Sequence, residues 1–416
     1  MADQLSLPLY IADTAHASLH KELKEFEAFG TKTQCDVLAV DGCPEVPIYL
    51  NEFWTAKQRA AHSLHEVSYR ACFKPQLPRF FIERLTKPGD VVYDPFLGRG
   101  TTLLEAGLMG RVPWGCDINP LSRILVLPRL DPPTDGEVKS HLEKMDLESA
   151  AEAGPEELLT FYHPKVLKSL QGMKERFLVS ENKLDAWVRM VATNRLTGHS
   201  PGFFSVYSLP PNQAVSVKSQ MRINEQRSQV PPERDICAIL LKKSKQLLKD
   251  LTKEESATLR STSSKAKIIT GSCDNTPELS SNSVSLVVTS PPFLNEVDYK
   301  TDNWLRCWFN GISLEGVTLW MIRKPAAWQE KMTGVFHELH RILKPGGHVA
   351  FEVGEVVNGE IKLEELVIPA AMKAGFDPAL ILINSQVFTK TSNCWGVSNQ
   401  ELGTNTNRIV LLRKRI

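Results

Sequence analysis

The stretch Val91-Val92-Tyr93-Asp94-Pro95-Phe96-Leu97-Gly98-Arg99-Gly100-Thr101-Thr102-Leu103-Leu104-Glu105-Ala106 constrains this chain more than any other. A short apolar run ends in an acid, a glycine-containing turn follows, and Thr-Thr opens an amphipathic run. That pattern predicts strand, tight loop and helix. Two glycines one residue apart let the backbone turn sharply and let a ligand approach without a Cβ in the way. A dinucleotide site opens with the same grammar. Here, however, Leu103 stands where its third glycine belongs, and Asp94 precedes the loop. A carboxylate at that place repels a pyrophosphate and suits an ammonium or sulfonium. Further on, Pro113-Trp114-Gly115-Cys116-Asp117 predicts a second strand ending in an acid, about where a ribose-binding carboxylate is expected (roughly 20 residues on). A nucleoside with a cationic tail satisfies both acids.

The other half of the pattern lies far downstream. Val284-Ser285-Leu286-Val287-Val288-Thr289 reads as a buried strand and runs into Ser290-Pro291-Pro292-Phe293. With both pieces in view, the chain resembles the amino-methyltransferases of DNA. Asp94 to Thr102 is similar to their cofactor loop, usually D-P-F-x-G-S-G-T-T, with Arg99 in place of the usual Ser. Thr289 to Phe293 is similar to the T-S-P-P-F/Y catalytic loop of the cytosine-N4 branch. The resemblance covers roughly residues 51–130 and 266–416 by pattern reading. It implies a Rossmann-like class I α/β fold, a seven-stranded, mostly parallel sheet with helices on both faces, and S-adenosylmethionine as cofactor. The implied cofactor-binding residues are Asp94, Pro95, Phe96, Gly98, Gly100, Thr101, Thr102, Asp117 and Ile118. Asp274, closing the strand Ile268-Ile269-Thr270, joins them as the contact to adenine; as an ordinary turn or N-cap residue it would also fit.

The implied reaction moves a methyl group from a sulfonium to an exocyclic amine whose lone pair is delocalised into the base. Acceptors aimed at the amine hydrogens favour a pyramidal nitrogen and bind the transition state better than the ground state. Ser290 Oγ and the Pro291 carbonyl are the expected acceptors. Pro291 and Pro292 stiffen the loop and offer no competing N–H, and Phe293 is expected to stack on a flipped base. Relatives acting on adenine usually place Asp or Asn at the first position, so Ser290 favours cytosine N4. Adenine N6, or an RNA base, remain the alternatives. Cytosine C5 methylation needs a nucleophilic cysteine, and the Pro-Cys pair of that family is absent.

Between the two loops, residues 131–265 are not needed by a cofactor-binding sheet and form a candidate target-recognition insert, while residues 1–50 read as an arm packed on the body. Net charge is +1, yet residues 161–267 hold 19 Lys and Arg against 9 Asp and Glu. A basic stretch is often only a solvated face, but Arg222 and Arg227, among Asn224, Gln226 and Gln229, are candidate contacts to duplex DNA. Eight cysteines occur without a C-x-x-C pair, which supports neither a zinc site nor a disulfide framework. No apolar run approaches the roughly 18 residues that span a bilayer, and the N-terminus lacks a secretory layout. A cytoplasmic protein is expected, with a cognate restriction endonuclease as a partner to look for. Trp54 to Ala71, lacking Gly and Pro, predicts a helix; Glu254 to Lys265, rich in Ser, Thr and Lys, predicts a linker.

Overall fold

The computed structural model describes residues 14–55, 61–69, 72–147, 150, 152–209, 214–292, 299–313, 315, 320, 322–353, 355–356, 361–389 and 402–415. Its strands are β1 (Gln34–Leu38), β2 (Val46–Asn51), β3 (Val91–Asp94), β4 (Val112–Asp117), β5 (Lys267–Thr270), β6 (Val284–Thr289), β7 (Leu343–Val353), β8 (Glu355–Val356), β9 (Ile361–Lys362), β10 (Phe376–Thr389) and β11 (Leu402–Lys414). Nine of these make one sheet in the order β1-β2-β10-β11-β7-β6-β3-β4-β5. From β7 to β5 every neighbouring pair is parallel. The β10–β11 hairpin then pairs antiparallel with β7. These seven strands make the seven-stranded, mostly parallel Rossmann-like sheet expected from the sequence. The sheet itself is larger than expected: β2 adds parallel to β10, and β1 caps β2. Both come from the stretch expected to be an arm packed on the body: β2 carries Pro47 within it and β1 lies largely exposed, so neither shows a plain apolar alternation.

The helices are α1 (Thr14–Lys24), α2 (Gln76–Leu85), α3 (Thr101–Leu108), α4 (Leu121–Leu130), α5 (Asp135–Glu143), α6 (Pro164–Val179), α7 (Lys183–Thr193), α8 (Val217–Gln226), α9 (Ile236–Leu248), α10 (Lys253–Ser263), α11 (Tyr299–Phe309), α12 (Pro325–Ile342) and α13 (Leu363–Lys373). They cover both faces of the sheet, as alternation along the strands requires. Tyr93, Val287, Val349 and Phe351 pack against Phe336, Leu339 and Val367 of α12 and α13. Val92, Leu286, Val288 and Ala350 pack the other way, against Phe81 of α2 and Leu19 and Leu23 of α1. Helices α5 to α9 bury Trp187, Leu170 and Leu240 in one cluster with Leu103 and Leu125 of α3 and α4. The middle of the chain is therefore packed directly on the helices that follow the glycine loop.

Two expectations are corrected. The stretch after Trp54 holds, among its described residues, only the 3-10 turn Ser63–His65. Its backbone is claimed by tertiary partners: Ser63 N donates to Asp250 Oδ2, Ser68 N to Asn194 Oδ1, and Arg129 Nη1 to the Leu64 carbonyl. The expected linker at 254–265 is helix α10, opened by a capping box between Thr252 and Glu255 and closed on Leu259, which is fully buried.

Candidate active site

Parallel strands place their carboxyl ends along one edge, and a ligand crevice opens where successive connections leave to opposite sides. In this sheet that point lies between β3 and β6. Asp94 ends β3 and Thr289 ends β6, and Thr289 Oγ1 donates a 2.6 Å hydrogen bond to Asp94 Oδ1. Phe96 N donates to the same oxygen at 3.0 Å, so Asp94 also shapes the loop that follows it. The next strand, β4, ends in Asp117, whose carboxylate accepts from Gly98 N (2.7 Å) and Asn119 N (2.8 Å). One acid thus pins the glycine turn and the opening of the next loop together.

A cavity opens above these strand ends, lined by Asp94, Pro95, Phe96, Leu97, Gly98, Thr101, Asp117, Ile118 and Asn119 from the first two crossovers. Gly271, Ser272 and Cys273 close one side, Ser290 and Pro292 another, and Tyr69, Cys72, Phe73 and Trp320 form the remaining wall. The structure therefore gathers Asp94, Pro95, Phe96, Gly98, Thr101, Asp117, Ile118, Ser290 and Pro292 at one place. Gly98 has φ of 49°, and a Cβ there would stand 3.7 Å from the Tyr69 ring, inside the cavity wall. Phe293 lies outside the described residues.

Other expected residues do different work. Gly100, at φ of 75°, starts α3, and a Cβ on it would collide with Val126. Thr102 Oγ1 donates to the Val288 carbonyl at 3.0 Å, which ties α3 to β6. Pro291 is buried beside the cavity and does not line it. Asp274 does not line it either. Its carboxylate takes Lys331 Nζ at 2.5 Å and Ser272 Oγ at 2.5 Å, while Lys331 sits over the Trp320 ring. Burial raises the Asp274 pKa, but Lys331 and Ser272 outweigh it and hold the group below the ordinary carboxylate value. Arg222 lies exposed on α8, and Arg227, at that helix's C-cap, stacks 3.8 Å over Tyr207.

Burial dominates the electrostatics of the two strand-end acids. It pushes Asp94 up to about 7 against the hydrogen bonds from Thr289 and Phe96, with Asp117 adding repulsion. It also raises Asp117. Two carboxylates held dry and close favour a cationic occupant, because a positive charge restores ionisation to both. Phe73, Phe96, Ile118 and Trp320 supply apolar surface for a flat ring beside them.

Glu352, which carries no motif signal, is the residue behind Ser290. It lies on β7, buried, and accepts hydrogen bonds from the Ser290 hydroxyl and from Asn407 Nδ2 (2.6 Å). Burial carries its pKa up to about 7 in spite of both bonds. The Ser290–Pro292 segment is held at its other end by Trp328, whose indole N–H donates to the Pro292 carbonyl at 3.0 Å. Arg99, the departure from the usual Ser, turns away from the cavity and donates to the Val67 carbonyl at 3.1 Å. It thereby tethers the segment that carries Tyr69, Cys72 and Phe73. None of these three long-range partners is visible from local spacing.

Residues 31–122, from β1 through the glycine loop to β4, match the family model described as DNA methylase. That match covers less than a quarter of the chain and includes the glycine loop. Among curated relatives, Type II methyltransferase M.MjaII of Methanocaldococcus jannaschii is 36% identical over 69 residues, which is 17% of this chain and 13% of that one. Type II methyltransferase M.MvaI of Kocuria varians is 40% identical over 80 residues, 18% of this chain and 17% of that one. The tRNA (guanine(10)-N2)-dimethyltransferase of M. jannaschii is 40% identical over 63 residues, 15% of this chain and 18% of that one. The chain thus spans 13–18% of the length of these relatives. Among solved structures, an rRNA methyltransferase, aviRa of Streptomyces viridochromogenes, covers 87% of this chain and 94% of its own at 12% identity and a TM-score of 0.35. A SAM-dependent methyltransferase of Methanosarcina mazei covers 81% of this chain and 97% of its own at 9% identity and 0.31. The two acids and the apolar walls of the cavity suit a cationic, ring-bearing occupant such as the cofactor expected from the sequence. Among the described residues no helix is long and apolar enough to cross a membrane.

Proposed function

We propose that this protein, whose residues 31–122 match the DNA methylase family model, methylates the N4 amine of a flipped-out cytosine in duplex DNA. The observation that carries the reading is the pairing of Ser290 with Glu352 at the wall of the cavity that also holds Asp94 and Asp117. When bound, S-adenosylmethionine supplies an electrophilic methyl group. Asp94 would face its cationic end, Asp117 and the Gly98 turn its ribose, and Ile118 and Phe96 its adenine. Ser290 spends its one proton on Glu352, so its lone pairs are left to accept from an amine in the cavity. An acceptor there draws the amine toward the pyramidal geometry that frees its lone pair. Pro291 and Pro292 keep competing donors out of the loop. Trp328 fixes the loop from behind, and Phe293 is proposed as the stacking ring.

Arg222 and Arg227, on the helical middle block, are proposed as contacts to the DNA backbone, and residues 131–265 as the region that recognises the target. A serine acceptor with no carboxamide beside it favours cytosine over adenine or a guanine amine. A cognate restriction endonuclease is the natural companion of such an activity. DNA and RNA from cells expressing the protein, digested separately to nucleosides and resolved by mass spectrometry, test the reading. N4-methylcytosine in DNA is expected. N6-methyladenine in DNA would move the base, and a methylated guanosine confined to RNA would move the substrate.

A further inference from the structure

The ends of β3, β4 and β5 stand side by side under the cavity, because β4 pairs parallel with both neighbours. Asp94 closes the first strand and Asp117 the second, and both line the cavity. After β5 the acid in the corresponding place is Asp274, yet Gly271, Ser272 and Cys273 line the cavity and Asp274 does not. Asp274 lies against α12, where a Cβ on Gly334 would stand 4.0 Å from the Asp274 Cβ. Both its oxygens are engaged: Oδ1 accepts from Ser272 Oγ and Oδ2 from Lys331 Nζ, each at 2.5 Å. The third strand therefore brings Ser272 to the cavity and keeps its acid behind it.

That exchange fixes what this edge of the cavity recognises. A serine hydroxyl carries one proton and two lone pairs. Ser272 gives its proton to Asp274. Against the pull of burial, Lys331 and Ser272 hold Asp274 below the ordinary carboxylate value, so it has no proton to give back. Ser272 Oγ is left with lone pairs alone for an occupant of the cavity. Such an edge takes an amine and repels a carbonyl oxygen. Lys331 does a second thing. Its ammonium stands 4.2 Å from the centre of the Trp320 ring, and Phe96 meets the same indole edge to face with ring centres 5.9 Å apart. Trp320 lines the cavity, as Phe96 does. One ion pair, Lys331 with Asp274, thus sets both a hydroxyl acceptor and an indole wall. An extended nucleoside whose cationic end faces Asp94 and whose ribose faces Asp117 brings its ring to Ser272, since the three strand ends follow one another in that order.

We propose that Ser272 and Trp320 hold the adenine of the cofactor, Ser272 as acceptor from its amine and Trp320 as a wall for its ring, with Asp274 and Lys331 as positioning residues behind them. The inference rests on the reading of this cavity as an S-adenosylmethionine site and adds how the ring is recognised. Calorimetry with two probes tests it: S-adenosylhomocysteine, and its inosine counterpart, in which a carbonyl oxygen replaces the amine. The variants are Ser272→Ala, Ser272→Thr, Asp274→Asn and Trp320→Ala, each checked for a wild-type melting temperature. The wild-type protein should bind the adenosine ligand about tenfold more tightly than the inosine one. Ser272→Ala should shrink this preference to about twofold, and Ser272→Thr, which keeps the hydroxyl, should retain it. Asp274→Asn should shrink it too, because an amide can donate to Ser272 and occupy a lone pair. Trp320→Ala should weaken both ligands alike, by about tenfold, since a wall does not read an edge. A folded Ser272→Ala variant with the full preference overturns the subsite and leaves the cofactor reading intact; loss of the preference in Asp274→Asn alone would then assign the amine to the acid itself. Equal affinity of the wild-type protein for the two ligands overturns it as well, as does a Trp320→Ala variant with unchanged affinity for both. A wild-type protein that does not bind S-adenosylhomocysteine overturns the cofactor reading itself. Should Trp320→Ala not fold, Trp320→Leu takes its place.

Discussion

Thr289 Oγ1 lies 2.6 Å from Asp94 Oδ1, so the residue that leads into the proposed catalytic loop donates to the acid that closes β3. The bond crosses the switch point of the sheet and joins the two halves of the proposed site by one proton. It favours the ionised form of Asp94, which burial opposes. Thr289→Val keeps the β-branched shape and removes the donor. Asp94 should then bind its proton more tightly, and cofactor affinity at pH 7 should fall severalfold. By pH 9 mutant and wild type should converge, because both are then ionised. Calorimetry at three pH values checks this; a deficit that does not depend on pH would make Thr289 a packing residue only.

Asp94 also makes stability depend on pH. Its folded value of about 7 lies above the ordinary aspartate value of 3.8, so between the two the folded chain holds the proton that the unfolded chain has lost. Its contribution to stability is therefore complete below the unfolded value and is lost as pH rises through 7. Asp94→Asn, which removes the charge and keeps the shape, should raise the melting temperature of the cofactor-free protein by several degrees at pH 8 and by less at pH 5. It should weaken cofactor binding at the same time. A melting temperature that falls equally at both pH values would show that the carboxylate is structural.

The strand-end acids were legible because a four- or six-residue apolar run ending in Asp has few other uses, and the glycine turn after it fixes the local fold. Glu352 was not, since a glutamate in Phe351-Glu352-Val353 looks like the polar side of an ordinary strand. Only the pairing of β7 with β6 and β11 shows that this polar side faces Ser290 and Asn407. Tyr69 was hidden by a helix-permitting composition between Trp54 and Ala71, which Arg99 and Arg129 override by taking its carbonyls, and Cys72 and Phe73 follow it without a motif of their own. Asp274 shows the converse: its position in the chain is right for adenine, and its charge is spent on Lys331.

Asp117 holds two backbone N–H groups that belong to different loops, Gly98 and Asn119. Asp117→Ala should therefore do two things. It should remove the acceptor proposed for the ribose hydroxyls, and it should release the Gly98 turn that shapes the floor of the cavity. A charged acceptor is worth roughly 1.5–3 kcal/mol, so S-adenosylmethionine should bind about ten- to a hundredfold more weakly. Asp117→Asn, which can still accept one of the two bonds, should fall between. Wild-type affinity in the alanine variant would remove this acid from the cofactor site.

Glu352 gives the proposed chemistry a pH signature of its own. With its pKa carried up to about 7 by burial, it is largely protonated at pH 6 and ionised at pH 8. Protonated, it can donate to Ser290 Oγ and occupy a lone pair that the amine needs. Ionised, it can only accept, and Ser290 is left as an acceptor toward the cavity. With cofactor and DNA saturating, turnover should accordingly rise through pH 7. Glu352→Gln should lower turnover by about tenfold or more at pH 8, leave duplex affinity unchanged, and abolish the rise, since an amide does not titrate. Ser290→Ala should cost on the order of the ~10²-fold lost when one transition-state hydrogen-bonding group is deleted elsewhere. If the two side chains act as one unit, the double variant should lose no more than Ser290→Ala alone. Single-turnover rates across pH 5.5 to 9 decide it: a Glu352→Gln enzyme that keeps the wild-type rise, or a double variant whose losses simply multiply, would separate Glu352 from Ser290 and leave Ser290 to act unaided.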